Sequence, residues 1–182
     1  MTLRVTLVAP PSPPPPEVRF GGDYPLNDAQ RFAVAELRSG LPAVDRVIRG
    51  PELRCRDTAA LLDEDAAIEA ELRDLAYGAW TGHSPEHVIT NHPDQFQAWH
   101  EDSAVAPPGG ESIDQLVARV TAFLDALSAA KGRVLAVTST AVIRAAVLAT
   151  LGAPGPSFWR VDVEPLSAVH LTGFDGRWNL RL

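Results

Sequence analysis

Apolar and polar positions along the chain alternate between two periods, and each change of period marks an element. Leu3 to Ala9 is β-branched and apolar and too short for an independent helix, which predicts a buried strand. It runs directly into prolines at 10, 11, 13, 14, 15 and 16. These residues fix φ and lack amide donors, so an extended loop is expected there. Asn27 and Gln30 read as a helix start, and Phe32, Ala33 and Leu37 recur at helical spacing until Gly40. Val44 to Ile48 predicts a second strand, followed by Pro51 at a first helical position and a helix through Leu62. Ser112 and Gln115 form a capping-box pattern ahead of Ile113, Leu116, Val117, Val120, Phe123, Leu124 and Leu127, which trace one apolar stripe. Val134 to Val137 predicts another buried strand, and Ala141 to Leu151 a helix stopped by Gly152 with Pro154 beyond. Phe158 to Val163, Ser167 to Leu171 and Trp178 to Leu182 alternate in period two around a turn at Gly173 to Gly176, the pattern of an antiparallel edge.

Strands alternating with helices predict a three-layer α/β/α sandwich around a mostly parallel central sheet with an antiparallel C-terminal edge. Ligands then belong at the carboxyl ends of the strands. A length of 182 residues suits a single domain over 1–182, since such a chain buries roughly 70% of its unfolded surface around one core.

Composition narrows the partners. A formal charge of −7, from 16 basic and 23 acidic residues, provides no basic stripe for a phosphate backbone, so nucleic acid is not expected. No apolar run approaches the roughly 18 residues that a bilayer requires, so no membrane partner is expected. The single cysteine, Cys55, excludes an internal disulfide framework, and the first residues lack a secretory pattern. A cytoplasmic location is the resulting expectation.

Five segments carry the candidate chemistry. These are Leu7-Val8-Ala9-Pro10-Pro11, Gly50-Pro51-Glu52-Leu53-Arg54-Cys55-Arg56-Asp57-Thr58-Ala59, the loop Leu72 to Gly82 with Asp74, Pro107-Pro108-Gly109-Gly110-Glu111-Ser112, and Val137-Thr138-Ser139-Thr140-Ala141-Val142-Ile143-Arg144. In this order they resemble the histidine phosphatase (phosphoglycerate mutase-like) superfamily over nearly the whole chain, and its α-ribazole-phosphatase-like branch most. The resemblance implies a phosphoglycerate mutase-like fold and no cofactor. It places Arg54 at the phosphate-binding arginine and Asp74 at the general acid. It also places Ala9 where the family has an arginine, Pro10 at the phosphohistidine nucleophile and Ser139 at the second histidine.

A proline nitrogen within the chain is an amide without basicity, so Pro10 has no lone pair to offer phosphorus. Loss of a cationic fork at Ala9 removes a further contribution of roughly 3 to 4 kcal/mol. The expectation is a pseudoenzyme that binds anions: Arg54, Arg19, Thr138, Ser139, Thr140 and the helix start near Ala141 remain to hold a phosphate or a phosphorylated small molecule. The alternative is a slow phosphomonoesterase in which Asp74 and Arg54 work with water or Ser139, with His83 or His100 as a base. The plainer account of Arg54 is a pair with Asp74, and of Ser139 a hydroxyl satisfied by local backbone. His83-Ser84-Pro85-Glu86-His87 spells a zinc motif, but Pro85 opens a helix and leaves His83 before it, so no metal is expected. The proline segment is expected either to plug the pocket mouth or to dock a protein partner.

Overall fold

The computed structural model describes residues 2–13, 17–63 and 65–181, so Pro14, Pro15 and Pro16 of the proline segment lie outside the described residues. Along the chain come β1 (Leu3–Val8), α1 (Asp28–Arg38), β2 (Arg46–Arg49), α2 (Leu53–Leu62) and β3 (Ala67–Ile68), then α3 (Pro85–Asn91) and α4 (Pro93–Glu101). The C-terminal half adds α5 (Ile113–Leu127), β4 (Gly132–Val137), α6 (Thr140–Leu151), β5 (Ala168–Phe174) and β6 (Arg177–Arg181). Among the described residues the strands form a six-stranded sheet in the order β3-β2-β4-β1-β5-β6. The β3, β2, β4 and β1 strands run parallel, while β5 adds antiparallel to β1 and β6 antiparallel to β5.

Alternation along β1 sorts the two faces of the sheet. Leu3, Val5 and Leu7 join Ile113, Leu116, Leu124, Ile143 and Leu148 in the larger core on one side, beneath α5 and α6. Val8, Leu135 and Val137 face the other way and meet Cys55 and Ala59 of α2, with Leu37 of α1 packed against them. The result is helix, sheet, helix, the sandwich predicted from the alternation of elements. Both predicted capping boxes form: the Asn27 side chain accepts from the Gln30 amide, and that of Ser112 from Gln115. Gly152 closes α6 in the left-handed region at φ 61°, where glycine avoids a Cβ clash.

Two local expectations change. Phe158 to Val163 is not a strand: a 3₁₀ turn occupies Gly155–Arg160, with Pro154 preceding it and Pro156 within its first turn. Pro156 cannot donate to a ladder, and Phe158 is buried in the larger core, so side-chain packing overrides the period-two pattern. The helix expected from Pro51 begins at Leu53, because Asp23 from the preceding loop accepts from the amides of Leu53 and Arg54. Strand β3 is only two residues long, which leaves no period in the sequence to detect.

Candidate functional site

Two parallel strands stop side by side, and both chain continuations turn into one cleft. Beyond β1 come Ala9, Pro10 and Pro11; beyond β4 come Thr138 and Ser139, with the Thr138 amide donating to Val8 O at 3.1 Å. The cleft encloses about 230 Å³. It is lined by Pro10, Pro11, Ser12 and Pro13 on one side, Arg19 to Gly22 and Tyr24 on another, and Arg54, Asp74, Tyr77, Ser139 and Thr140 at its base and rim. It thus lies at the carboxyl ends of the central strands, as the topology requires.

Among the described residues Arg54 is the buried cation of the cleft. It projects from the first turn of α2 with only 10% of its side chain exposed, and its Nη2 donates to Asp74 Oδ2 at 2.5 Å. Its Nη1 donates to the Gly22 carbonyl, and the Tyr24 ring lies 6.0 Å from the guanidinium carbon. Burial works against its charge, but the adjoining Asp74 carboxylate more than offsets this and raises its pKa above the ordinary guanidinium value.

Asp74 is held from three directions. Its amide donates to Glu52 Oε1 at 2.6 Å, and its other carboxylate oxygen accepts from the Leu75 amide at 2.8 Å. The backbone of its loop is tied to α5: Arg119, paired with Glu111 at 2.8 Å, donates to the carbonyls of Glu71 and Arg73. The acid therefore sits on a braced segment. The Arg54–Asp74 pair and the open cleft coexist, so an incoming anion must share or displace a contact that Asp74 already holds.

Ser139 caps α6, its hydroxyl accepting from the Val142 amide at 3.3 Å, so the helix start faces the cleft with one of its amides already satisfied. Thr140 also lines the cleft. Thr138 is fully buried and donates to Leu72 O at 2.7 Å, which turns its hydroxyl away from the lining set. The side chain of Ala9 packs into the larger core, while its backbone exchanges hydrogen bonds with Leu166 and Ser167. Arg19 lies on the exposed rim and donates to Val18 O at 2.9 Å. His83 and His87 stack with ring centroids 4.4 Å apart on the exposed side of α3 and do not line the cleft. Neither does His100, which stacks on Trp159 at 4.9 Å.

Sequence reasoning missed the aromatic wall. Tyr77 and Phe20, centroids 5.0 Å apart, continue into a cluster with Trp80 and Trp99 that seats α4 against the cleft. Tyr24 donates to the Pro11 carbonyl at 2.8 Å, which ties the proline segment to the wall that also carries Arg54. Burial pushes the Tyr24 phenol up to about 12, and that of Tyr77 well above the ordinary tyrosine range. Both hydroxyls stay protonated at neutral pH, and that of Tyr24 is the donor to Pro11. Tyr77 belongs to a segment already singled out by sequence, whereas Tyr24 lies in an aperiodic stretch with no signal of its own.

The sequence profile of the histidine phosphatase superfamily (branch 1) matches residues 17–182, leaving β1 and the prolines outside the matched span. A bifunctional protein of Mycobacterium tuberculosis is 28% identical over 153 residues, which cover 80% of this chain and 41% of that protein. The chain thus spans well under half the length of that relative. Among solved structures, mycobacterial glucosyl-3-phosphoglycerate phosphatase superposes with a TM-score of 0.87 at 22% identity, covering 100% of this chain and 98% of that one. A putative α-ribazole-5′-phosphate phosphatase of Escherichia coli superposes with a TM-score of 0.86 at 19% identity, covering 99% and 95%. The mycobacterial phosphatase has also been solved with VO3 and with inorganic phosphate. Fold, motif order and profile agree: this chain belongs to the histidine phosphatase superfamily, branch 1.

Proposed function

We propose that this chain is a non-catalytic member of its superfamily that binds a phosphate or a phosphorylated small molecule in the cleft between Arg54 and the start of α6. The observation that carries this reading is the wall that follows β1. Pro10 and Pro11 stand where the chain enters the cleft, and neither side chain has a lone pair or a proton to exchange. Among the described residues no histidine, cysteine or lysine lines the cavity. Ser139, the remaining hydroxyl at the helix start, accepts from the Val142 amide and has no lining base to activate it. Arg54 and the Thr140 region supply a cationic fork and a helix start, which suit an oxyanion. The phosphate and vanadate bound by the mycobacterial phosphatase give the ligand class a precedent on this fold.

Asp74 and Ser139 share the cavity with Arg54, and this favours a second reading, a slow phosphomonoesterase using water. Aryl-phosphate hydrolysis and inorganic phosphate binding, measured side by side for the natural chain, Arg54→Ala and Asp74→Asn, separate the two. Binding that depends on Arg54, without turnover above the buffer blank, supports the non-catalytic function. Turnover in the natural chain that disappears in both variants establishes the esterase instead. A protein partner docked on the prolines is a third role, supported by the exposure of Ser12 and Glu17 beside the cleft. Its test is retention of a partner when Arg54 is replaced.

A further inference from the structure

A second cleft, of about 400 Å³, lies at the other end of the parallel strands. Helices α1 and α2 cover β2, β4 and the carboxyl end of β1 on their side of the sheet, and beyond them the same face stays open around Arg4 of β1 and the facing residues of β5 and β6. This stretch is lined by Arg4, Thr6, Arg133, His170, Thr172 and Arg181, with the turn from Gly40 to Val44 as its wall.

The charge arrangement is unfavourable for the protein on its own. Arg4 and Arg133 are register partners on neighbouring strands, about 4.8 Å apart, so two like charges stand next to each other on one face. Arg181 joins them from β6, in register with His170, which is itself opposite Thr6. No aspartate or glutamate lines the cleft, and among the described residues the side chains of Arg4 and Arg181 have no ion pair or hydrogen bond. The guanidinium of Arg133 has only a 3.5 Å contact to Ala43 O. Asp45, nearby, accepts from the Arg133 backbone amide at 2.7 Å rather than from its side chain. In a chain of net charge −7, three unneutralised guanidiniums around one cavity are a local reversal of sign.

We propose that this cleft binds a small molecule bearing two linked phosphoryl groups, of the pyrophosphate class. Planar guanidinium forks match phosphoryl oxygens in bidentate geometry. Three forks that each engage two oxygens call for six acceptors, which the terminal oxygens of a pyrophosphate supply and the four of a single phosphate do not. The Thr6 hydroxyl lies 3.1 Å from His170 Nδ1, which holds the imidazole in place on the floor between the arginines.

Isothermal titration of inorganic pyrophosphate and of orthophosphate, at low ionic strength, tests this on three proteins: the natural chain, Arg54→Ala and the double variant Arg4→Gln/Arg181→Gln. Both replaced arginines of the double variant are exposed, and its melting temperature checks the fold. The expected result is pyrophosphate binding that survives Arg54→Ala and weakens roughly tenfold or more in the double variant, with orthophosphate at least tenfold weaker than pyrophosphate in the Arg54→Ala background. Pyrophosphate binding that is lost in Arg54→Ala and unchanged in the double variant assigns the ligand to the first cleft and overturns the proposal. Absence of binding to the natural chain at millimolar pyrophosphate overturns it as well. Failure of the first cleft to bind phosphate leaves these outcomes unaffected, because the decisive comparison is made without Arg54.

Discussion

Replacing Asp74 with asparagine preserves the size of the side chain and removes its charge, and the geometry fixes the sign of the effect on anion binding. An anion held by Arg54 at hydrogen-bond distance stands about 5 to 6 Å from the Asp74 carboxylate, since the two side chains already touch at 2.5 Å. At an effective dielectric near 20 that separation corresponds to a repulsion of about 3 kcal/mol per unit charge. Rearrangement and penetrating water reduce it, and retention of one-half to nine-tenths still gives about 10- to 100-fold tighter phosphate binding. The unliganded protein responds in the opposite direction. Arg54, mostly buried, keeps the Gly22 carbonyl but loses its ionic partner, so the variant melts lower than the natural chain and regains stability as phosphate is added. Calorimetric titration of inorganic phosphate at pH 7 on both proteins reads the ratio directly. Equal or weaker affinity in Asp74→Asn would refute the view that Asp74 competes with the ligand for Arg54.

Ser139→Ala removes the N-cap of α6 and is expected to lower stability by about 1 kcal/mol, seen as a lower urea midpoint at unchanged slope. Asp57, which accepts from the Leu26 amide at 3.0 Å and pairs with Arg31 and Arg56, has its pKa lowered: burial raises it, but these hydrogen bonds and charges outweigh burial. A depressed carboxylate pKa stabilises the fold above the unfolded value near 3.8 and loses that contribution as pH falls through the folded value. The stability gap between the natural chain and Asp57→Asn should therefore be full at pH 7 and close on acidification below about pH 4; a gap that widens in acid would reverse the assignment. Gly78→Ala places a Cβ against the backbone of Pro108 and Gly110 at φ 51°, whereas Gly82→Ala at φ 83° meets open space. The first is expected to cost more than about 3 kcal/mol and to abolish phosphate binding by displacing Tyr77, the second about 1 kcal/mol with binding intact; thermal melts with phosphate titration check both.

The elements legible in the chain were those whose information is local. The capping boxes at Asn27 and Ser112 formed because a side chain three residues from a free amide needs no tertiary partner to find it. The apolar stripe of α5 and the glycine stop of α6 were equally local. Phe158 to Val163 was misread because a period-two pattern also describes aromatic residues turning into a core, and only packing distinguishes the two.

The order of motifs in the sequence sufficed to place Arg54, Asp74, Ser139 and the prolines together, since parallel topology brings the carboxyl ends of neighbouring strands into one crevice. The sequence also determined what those residues can do chemically, because reactivity belongs to the side chain: a proline is no nucleophile wherever it sits. Only the tertiary structure decided how they are engaged. Pairing of Arg54 with Asp74, burial of Thr138 and the tie from Tyr24 to Pro11 join residues up to 66 positions apart in the chain. The same holds for the arginines of the second cleft, drawn from β1, β4 and β6. Their common charge became apparent only when strand register set them side by side, because repulsion depends on distance in space and sequence separation carries no measure of it.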